Sequence, residues 1–189
     1  KRAYWPIYAA AERLGLAIGV HAGSAYHNPP TSVGWGSYHI EDYVAQATAF
    51  QTQLTSLIVE GVFARHPALK MVMLESGFTW LPAYLWRLHK FWRGVRMETP
   101  WVDRAPAEIV RSNIRFSLQP IDAPPDPATL NRLFEHMQSD ELLLFSTDYP
   151  HWQFDGDEVL PPGLSADLVR KIMIDNPLAT YGRLKMVLA

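Results

Sequence analysis

Four short apolar stretches, each followed by a segment of helical periodicity, constrain what this chain can fold into. They are LAIGVHAG, KMVMLES, NIRFSLQ and LLLFST, at residues 16–23, 70–76, 113–119 and 142–147. The near-continuous apolar runs KMVML and LLLF are typical of strands that are covered on both faces. Strands that alternate with helices indicate parallel βαβ units. The sequence therefore predicts an α/β fold built on a parallel sheet.

The segments between these stretches carry apolar residues at helical spacing and recognisable end signals. Helices are predicted before Gly15, before Pro67, around residues 81–92 and 107–112, and after the N-cap residues Asp126 and Ser165. Residues 26–36, which are rich in Gly, Pro, Ser and Asn, are predicted to form a loop.

Four strands with their helices fit either a small open sheet or half of an eight-stranded (β/α)8 barrel. A complete barrel usually needs about 250 residues, and this chain has 189. The chain also begins on a predicted helix with no strand before it, so we expect that residues upstream are missing. No repeat or composition break divides the sequence, which predicts one domain over residues 1–189.

The composition excludes several classes of protein. The formal net charge is −2, and no Lys/Arg-rich run occurs, so nucleic acid and anionic membrane are not expected partners. No uninterrupted apolar stretch approaches the ~20 residues of a membrane span, and no secretory signal is evident, so a cytoplasmic location is expected. The sequence contains no Cys, so any metal must be held by His, Asp or Glu.

Polar residues stand where three of the predicted strands end. His21 follows AIGV, Glu75 follows MVML, and Asp148 follows LLLFST. In parallel α/β folds the carboxyl ends of the strands form the ligand-binding face, so we expect these three side chains to converge. An imidazole and carboxylates are suitable ligands for Zn²⁺ or another divalent ion, and a further carboxylate can move protons.

Each of these residues also has a purely structural alternative. His21 could be a hydrogen-bonded buried histidine, Asp148 could stabilise the turn at residues 149–150, and Glu75 could pair with an arginine. His151, three residues beyond Asp148, could orient that loop. Three tryptophans just beyond strand ends are packing residues or walls of a substrate pocket: Trp35, Trp80 and Trp152.

Three motifs together carry a resemblance to a known family. They are GVHAG at residues 19–23, HPALKMVMLESGFTWLP at 66–82 and LLLFSTDYPH at 142–151, followed by a terminal DNPLATYGRL. With them the chain resembles the amidohydrolase-related family that includes aminocarboxymuconate-semialdehyde decarboxylase and many metal-dependent TIM-barrel hydrolases. The resemblance implies that the chain covers strands five to eight of a TIM barrel.

The resemblance also implies roles for individual residues. The family's histidine after strand five and aspartate after strand eight are metal ligands, and these roles fall on His21 and Asp148. The aspartate would also take a proton from a metal-activated water. The family's His-x-His pair has no counterpart in this sequence. Glu75 stands where the decarboxylases have a catalytic histidine, which weakens a direct transfer of their chemistry.

The function expected from these observations is metal-dependent hydrolysis of a small carboxylate, lactone or amide. One divalent ion, Zn²⁺ in the first instance, would be the cofactor, with Asp148, Glu75 and His151 as catalytic residues. Metal-dependent decarboxylation is the second reading. A third is a non-catalytic half-barrel that pairs with another copy of itself or with the missing N-terminal half, since half a barrel exposes sheet edges.

Overall fold

A computed structural model describes residues 2–23, 29, 31–152, 154, 156 and 158–184, and it confirms the α/β fold. Four strands form one parallel sheet in the order β1-β2-β3-β4. Their bounds are β1 Ile18–His21, β2 Met71–Leu74, β3 Ile114–Ser117 and β4 Leu143–Leu144. Each strand lies within one of the four predicted stretches, and each is a hydrogen-bonded neighbour of the next strand in sequence.

Helices connect the strands and close the chain. They are α1 Trp5–Arg13, α2 His39–Val59, α3 Val62–Arg65, α4 Leu81–Gly94, α5 Pro106–Asn113, α6 Pro127–Met137, α7 Ala166–Arg170 and α8 Asn176–Thr180, with a π-helical turn at Lys171–Asp175 between the last two. The predicted helices are therefore confirmed, except that the one before Pro67 is divided into α2 and α3 at Gly61, whose φ is 76°. Of the predicted loop at residues 26–36, residues 26–28 and 30 lie outside the described part of the chain, and residues 31–36 contain no helix or strand.

Local end signals explain where several helices start and stop. The Asp126 carboxylate accepts a hydrogen bond from Thr129 N at the start of α6, and Ser165 caps α7 through Leu168 N, as the sequence predicts. After α1 the chain turns at Gly15, whose φ of 63° lies in the left-handed region that glycine tolerates best.

The hydrophobic core lies between the helices and one face of the sheet. Alternate strand residues enter it, including Met71, Met73, Ile114 and Phe116, and they meet helix residues such as Leu54. All five of these side chains are fully or almost fully buried. Full burial of an aliphatic or aromatic side chain contributes about 1.5–3 kcal/mol. This face therefore fixes the positions of the strands.

The opposite face of the sheet is lined by a second row of strand residues, and part of it is exposed. The register pairs His21 with Leu74 and Ser117 with Leu144. Because side chains alternate along a strand, these residues share one face at the carboxyl end of the sheet. On β1 this face is open, since Gly19 and His21 are exposed while Ile18 and Val20 are half-buried. The fold thus places His21 at the carboxyl end of this open face.

Two expectations on architecture stay predictions: that the sheet is half of a barrel, and that residues 1–189 form a single domain. In the described ranges, no helix is both long enough and apolar enough to cross a bilayer.

Candidate metal and acid-base site

His21 ends β1 with its two ring nitrogens in different surroundings. Nδ1 lies 2.6 Å from the carbonyl oxygen of Ala22, which can only accept, so Nδ1 is the protonated nitrogen. In the neutral ring, Nε2 then carries a lone pair. Nε2 lies 3.0 Å from Oε1 of Glu75. The His21 side chain is 60% exposed, so a ligand can reach the imidazole from solvent.

Glu75 directly follows β2 and turns the chain sharply. Its φ is 59°, in the left-handed region that non-glycine residues rarely occupy. Its backbone N–H donates to Oγ of Ser117 on β3 at 2.9 Å. Burial raises the pKa of the Glu75 carboxyl; the neighbouring His21 opposes this, and Asp148 adds to it through charge repulsion and a carboxyl–carboxyl hydrogen bond. Glu75 therefore holds a proton more readily than an ordinary glutamate.

Asp148 lies beyond β4 and has the same unusual backbone, with a φ of 57°. Its Oδ2 lies 3.1 Å from Nδ1 of His151, an ion-pair distance. The two atoms are not aligned for a hydrogen bond, and both are buried with no hydrogen-bonding partner among the residues that the structure describes. A buried carboxylate oxygen with no partner is costly, and such atoms are often completed by a ligand, a water or an ion.

The four residues that are predicted to carry the chemistry therefore lie close together: His21, Glu75, Asp148 and His151. Glu75 is the centre of the group, because it contacts His21 and interacts with both Asp148 and His151. The structure thus brings these side chains close to one another, with direct contacts within the His21–Glu75 and Asp148–His151 pairs. The catalytic and metal-binding roles of these residues stay predictions.

A cleft of about 510 Å³ opens beside this group. Its lining includes Glu75, Tyr43 on α2 and Asp122 in the loop after β3. The Tyr43 ring meets the Trp152 ring edge-on at 5.6 Å, and the indole N–H of Trp152 donates to the Tyr43 hydroxyl at 3.2 Å. Trp152 is 73% exposed, so it extends the Tyr43 side of the cleft into a surface that a bound molecule can reach, although it does not itself line the cleft.

The other two predicted pocket tryptophans lie elsewhere. Trp35 lines a separate cleft of about 420 Å³ formed by residues 31–45. Trp80 packs against the core: its ring meets Tyr84 and Phe116 edge-on, and its N–H donates to the Ser76 carbonyl. Trp80 therefore packs as the structural alternative expected, and neither Trp35 nor Trp80 lines the cleft beside Glu75.

Four residues near the site were not predicted from the sequence: Tyr43, Ser117, Gln119 and Asp122. Ser117 and Gln119 could have been found, because they alternate along NIRFSLQ with the apolar residues that enter the core. Gln119 is 1% exposed, and neither of its side-chain amide atoms has a partner in the described part of the chain. Tyr43 and Asp122 gave no signal, since they lie far from the motifs in sequence.

A comparison with protein families decides the kinship of this chain. The sequence model of the amidohydrolase family matches residues 1–183. The chain belongs to this family. No match was found among curated proteins.

Solved structures resemble this amidohydrolase-family chain over nearly all of its length. The amidohydrolase map2389c from Mycobacterium avium subsp. paratuberculosis K-10 is 27% identical, with a TM-score of 0.72 over 96% of this chain and 46% of its own. The 2,6-dihydroxybenzoate decarboxylase from Rhizobium is 19% identical, with a TM-score of 0.70 over 95% and 55%.

A third resemblance concerns a protein solved with a metal. The 5-carboxyvanillate decarboxylase from Novosphingobium aromaticivorans DSM 12444, complexed with manganese, is 19% identical, with a TM-score of 0.71 over 94% of this chain and 51% of its own. At identities below 25%, the two decarboxylases show only a shared fold. The chain spans about half the length of these structures.

The side chains of this amidohydrolase-family site fit a divalent cation in part. An imidazole nitrogen and carboxylate oxygens are suitable donors, and no described residue gives the Oδ2 atom of Asp148 a hydrogen bond. Within the described residues, however, no three His, Asp or Glu side chains are arranged as a coordination group. His21 and Asp148 therefore fit as two members of a ligand set rather than as a complete one.

Proposed function

We propose that the protein is a metal-dependent hydrolase of a small carboxylate, lactone or amide, with its active site at the carboxyl ends of the strands. The observation that carries this proposal is the meeting of His21, Glu75, Asp148 and His151 around the Nε2–Oε1 contact of 3.0 Å. Because the chain covers about half of the structures it resembles, the activity of the whole protein is part of the proposal.

The cofactor in this proposal is one divalent cation, held in part by Nε2 of His21 and the carboxylate of Asp148. When bound, such an ion acts as a Lewis acid that stabilises negative charge and makes water more acidic. The sequence favoured Zn²⁺, whereas two of the decarboxylases of similar fold are described with manganese. Both ions bind imidazole and carboxylate ligands, so both should be tested.

Glu75 and Asp148 are suited to divide the proton transfers of hydrolysis. Asp148 would take a proton from the water whose oxygen bonds to the substrate carbonyl carbon. Glu75, whose pKa is raised mainly by burial, would give its proton to the leaving nitrogen or oxygen as the bond to carbon breaks. His151, 3.1 Å from Asp148, would hold that carboxylate in place.

The cleft beside Glu75 would receive the substrate. Its volume of about 510 Å³ falls in the range of small-molecule pockets, ~300–1,000 Å³. The Tyr43–Trp152 pair would contact the apolar part of the substrate. Trp35 and Trp80 are not carried into this proposal, since neither reaches this cleft.

Decarboxylation is the second candidate, because the raised pKa of Glu75 suits it as well. Cleavage of a carbon–carboxylate bond releases CO₂ and leaves an electron pair on carbon, which must take up a proton. Glu75 could supply that proton. Decarboxylases of aromatic acids are also among the proteins of similar fold.

The test uses the purified protein with Mn²⁺ or Zn²⁺ and a panel of lactones, amides and aromatic acids in H₂¹⁸O. Hydrolysis places ¹⁸O in the product carboxylate, and decarboxylation releases CO₂ instead. Asp148→Asn should reduce turnover at least about a hundredfold with an unchanged circular dichroism spectrum. Asp167→Asn, at an exposed position in the first turn of α7, is the matched control. Full activity in Asp148→Asn would reject the assignment.

Association with a second copy or with polypeptide that supplies further strands is also a proposal. Sedimentation of the protein at several concentrations tests it. A species of the mass of one chain at every concentration would contradict self-association.

A further inference from the structure

The turn that carries Glu75 is the most constrained segment near the proposed site. Residues 75–79 connect β2 to the start of α4, and two of them, Glu75 and Gly77, have left-handed backbone, with φ of 59° and 63°. Left-handed backbone is unfavourable for a residue with a side chain such as glutamate. The Glu75 conformation therefore persists only if contacts from elsewhere in the fold hold the turn.

Ser117 supplies the contact at the first end of the turn. Its Oγ accepts the hydrogen bond from Glu75 N at 2.9 Å and donates to the Gln119 carbonyl at 3.2 Å. Ser117 is buried, so the Glu75 N–H has no competing water at this position. The hydroxyl thus both accepts and donates a hydrogen bond, and it fixes the backbone of Glu75 to β3.

Asp122 supplies the contact at the second end. Its carboxylate accepts from the backbone N–H groups of Phe78 and Thr79 at 3.2–3.3 Å and from the Thr79 hydroxyl at 2.7 Å. These N–H groups lie just before α4, where the helix dipole favours a negative charge. The carboxylate also lies against Gly77: a Cβ there would come within 2.5 Å of Asp122 Oδ2.

We propose that Asp122 and Ser117 are positioning residues for Glu75, holding residues 75–79 so that the Glu75 carboxyl stays against Nε2 of His21. Both act through the backbone of the turn. The inference rests on the proposed function for its catalytic consequence, whereas the positioning itself is a statement about structure. It assigns a role to two residues that no motif in the sequence marked.

The direct test is amide hydrogen exchange of residues 75–79 in Asp122→Ala. Loss of the carboxylate should speed exchange of the Phe78 and Thr79 amides, and of Glu75, by about tenfold or more. The matched control is Asp126→Ala, because Asp126 makes the same pair of contacts with Thr129 N and Oγ1 at the start of α6. Asp126→Ala should leave exchange of residues 75–79 unchanged.

Two further variants separate positioning from general destabilisation. Ser117→Ala removes the hydrogen bonds to Glu75 and Gln119 but keeps those of Asp122, so it should speed exchange at Glu75 more than at Phe78 and Thr79. Asp122→Asn keeps an oxygen acceptor and should restore most of the protection lost in Asp122→Ala. A crystal structure of Asp122→Ala should show Glu75 Oε1 displaced from His21 Nε2. Retention of both the amide protection and the 3.0 Å contact in that variant would overturn the proposal.

The catalytic consequence has its own readout. With an active substrate, Asp122→Ala should lower kcat about tenfold or more with little change in KM, because it displaces a reacting group rather than a binding surface. Equal falls in Asp122→Ala and Asp126→Ala would contradict a positioning role. Amide exchange needs neither turnover nor metal, so failure of the proposed function leaves the exchange result decisive.

Discussion

Glu75 and Asp148 follow strands that are not neighbours in the sheet, yet both have left-handed backbone, with φ of 59° and 57°. Their carboxyl groups interact, and this interaction adds to the rise in the pKa of Glu75. Two rare backbone conformations and two close carboxyl groups each cost free energy. Such costs concentrate at functional sites, where the surrounding fold sustains them.

The backbone cost at Glu75 can be measured by comparing Glu75→Gly with Glu75→Ala. Both remove the carboxyl group, but only glycine tolerates a φ of 59° without strain. We expect Glu75→Gly to be more stable than Glu75→Ala by about 1 kcal/mol in denaturant unfolding. At positions of negative φ, the alanine variant is normally more stable than the glycine variant. Equal stabilities, or a more stable alanine variant, would show that the backbone of Glu75 is not strained.

The contact between Gly77 and Asp122 predicts a coupled pair of substitutions. Gly77→Ala should destabilise the protein by about 2 kcal/mol, because it adds a Cβ at a φ of 63° and within 2.5 Å of Asp122 Oδ2. In the Asp122→Ala background the same change should cost less, since the clash is gone and only the φ penalty stays. A double-mutant cycle measures this difference, and additive effects would contradict direct contact.

Gln119 and Asn113 predict opposite outcomes for the same kind of substitution. Gln119 is buried, and its amide has no partner among the described residues, so Gln119→Leu should be neutral or stabilise by up to about 2 kcal/mol. Asn113 is also buried, but it donates to the Pro67 and Leu69 carbonyls and accepts from Arg104. Asn113→Leu should cost about 3 kcal/mol. A large loss of stability in Gln119→Leu would show that its amide is paired.

Acid should remove the contribution of Asp126 to stability. Hydrogen bonds from the Thr129 side chain and backbone lower the pKa of Asp126. A lowered pKa means that the stabilisation is complete above the ordinary aspartate pKa and is lost as pH falls through the folded-state value. The stability difference between the wild-type protein and Asp126→Ala should therefore be largest near neutral pH and shrink in acid. A difference that grows as pH falls would contradict this assignment.

Most of the fold could be predicted from the sequence because its signals are local. Runs such as KMVML report burial on both faces, and Asp126 and Ser165 satisfy helix N–H groups only three residues away. The convergence of His21, Glu75 and Asp148 followed from one further rule, that parallel strands end on the same side of the sheet.

What could not be predicted depends on contacts between distant segments. Asp122 holds a turn more than forty residues earlier, and Tyr43 meets Trp152 across 109 positions. No local pattern encodes such pairs. The same limit applies to Trp80, which follows a strand end as a pocket residue would, but whose ring is directed into the core by its contacts with Tyr84 and Phe116.

The central claim is that His21 and Asp148 bind one cation. Crystals of the protein soaked in Mn²⁺ and measured for anomalous scattering test it most directly. The account predicts a single strong peak at about 2.0–2.3 Å from His21 Nε2 and from an Asp148 carboxylate oxygen, absent in crystals of His21→Ala. The absence of a peak at this position, or a cation whose ligands do not include these two residues, would contradict the claim.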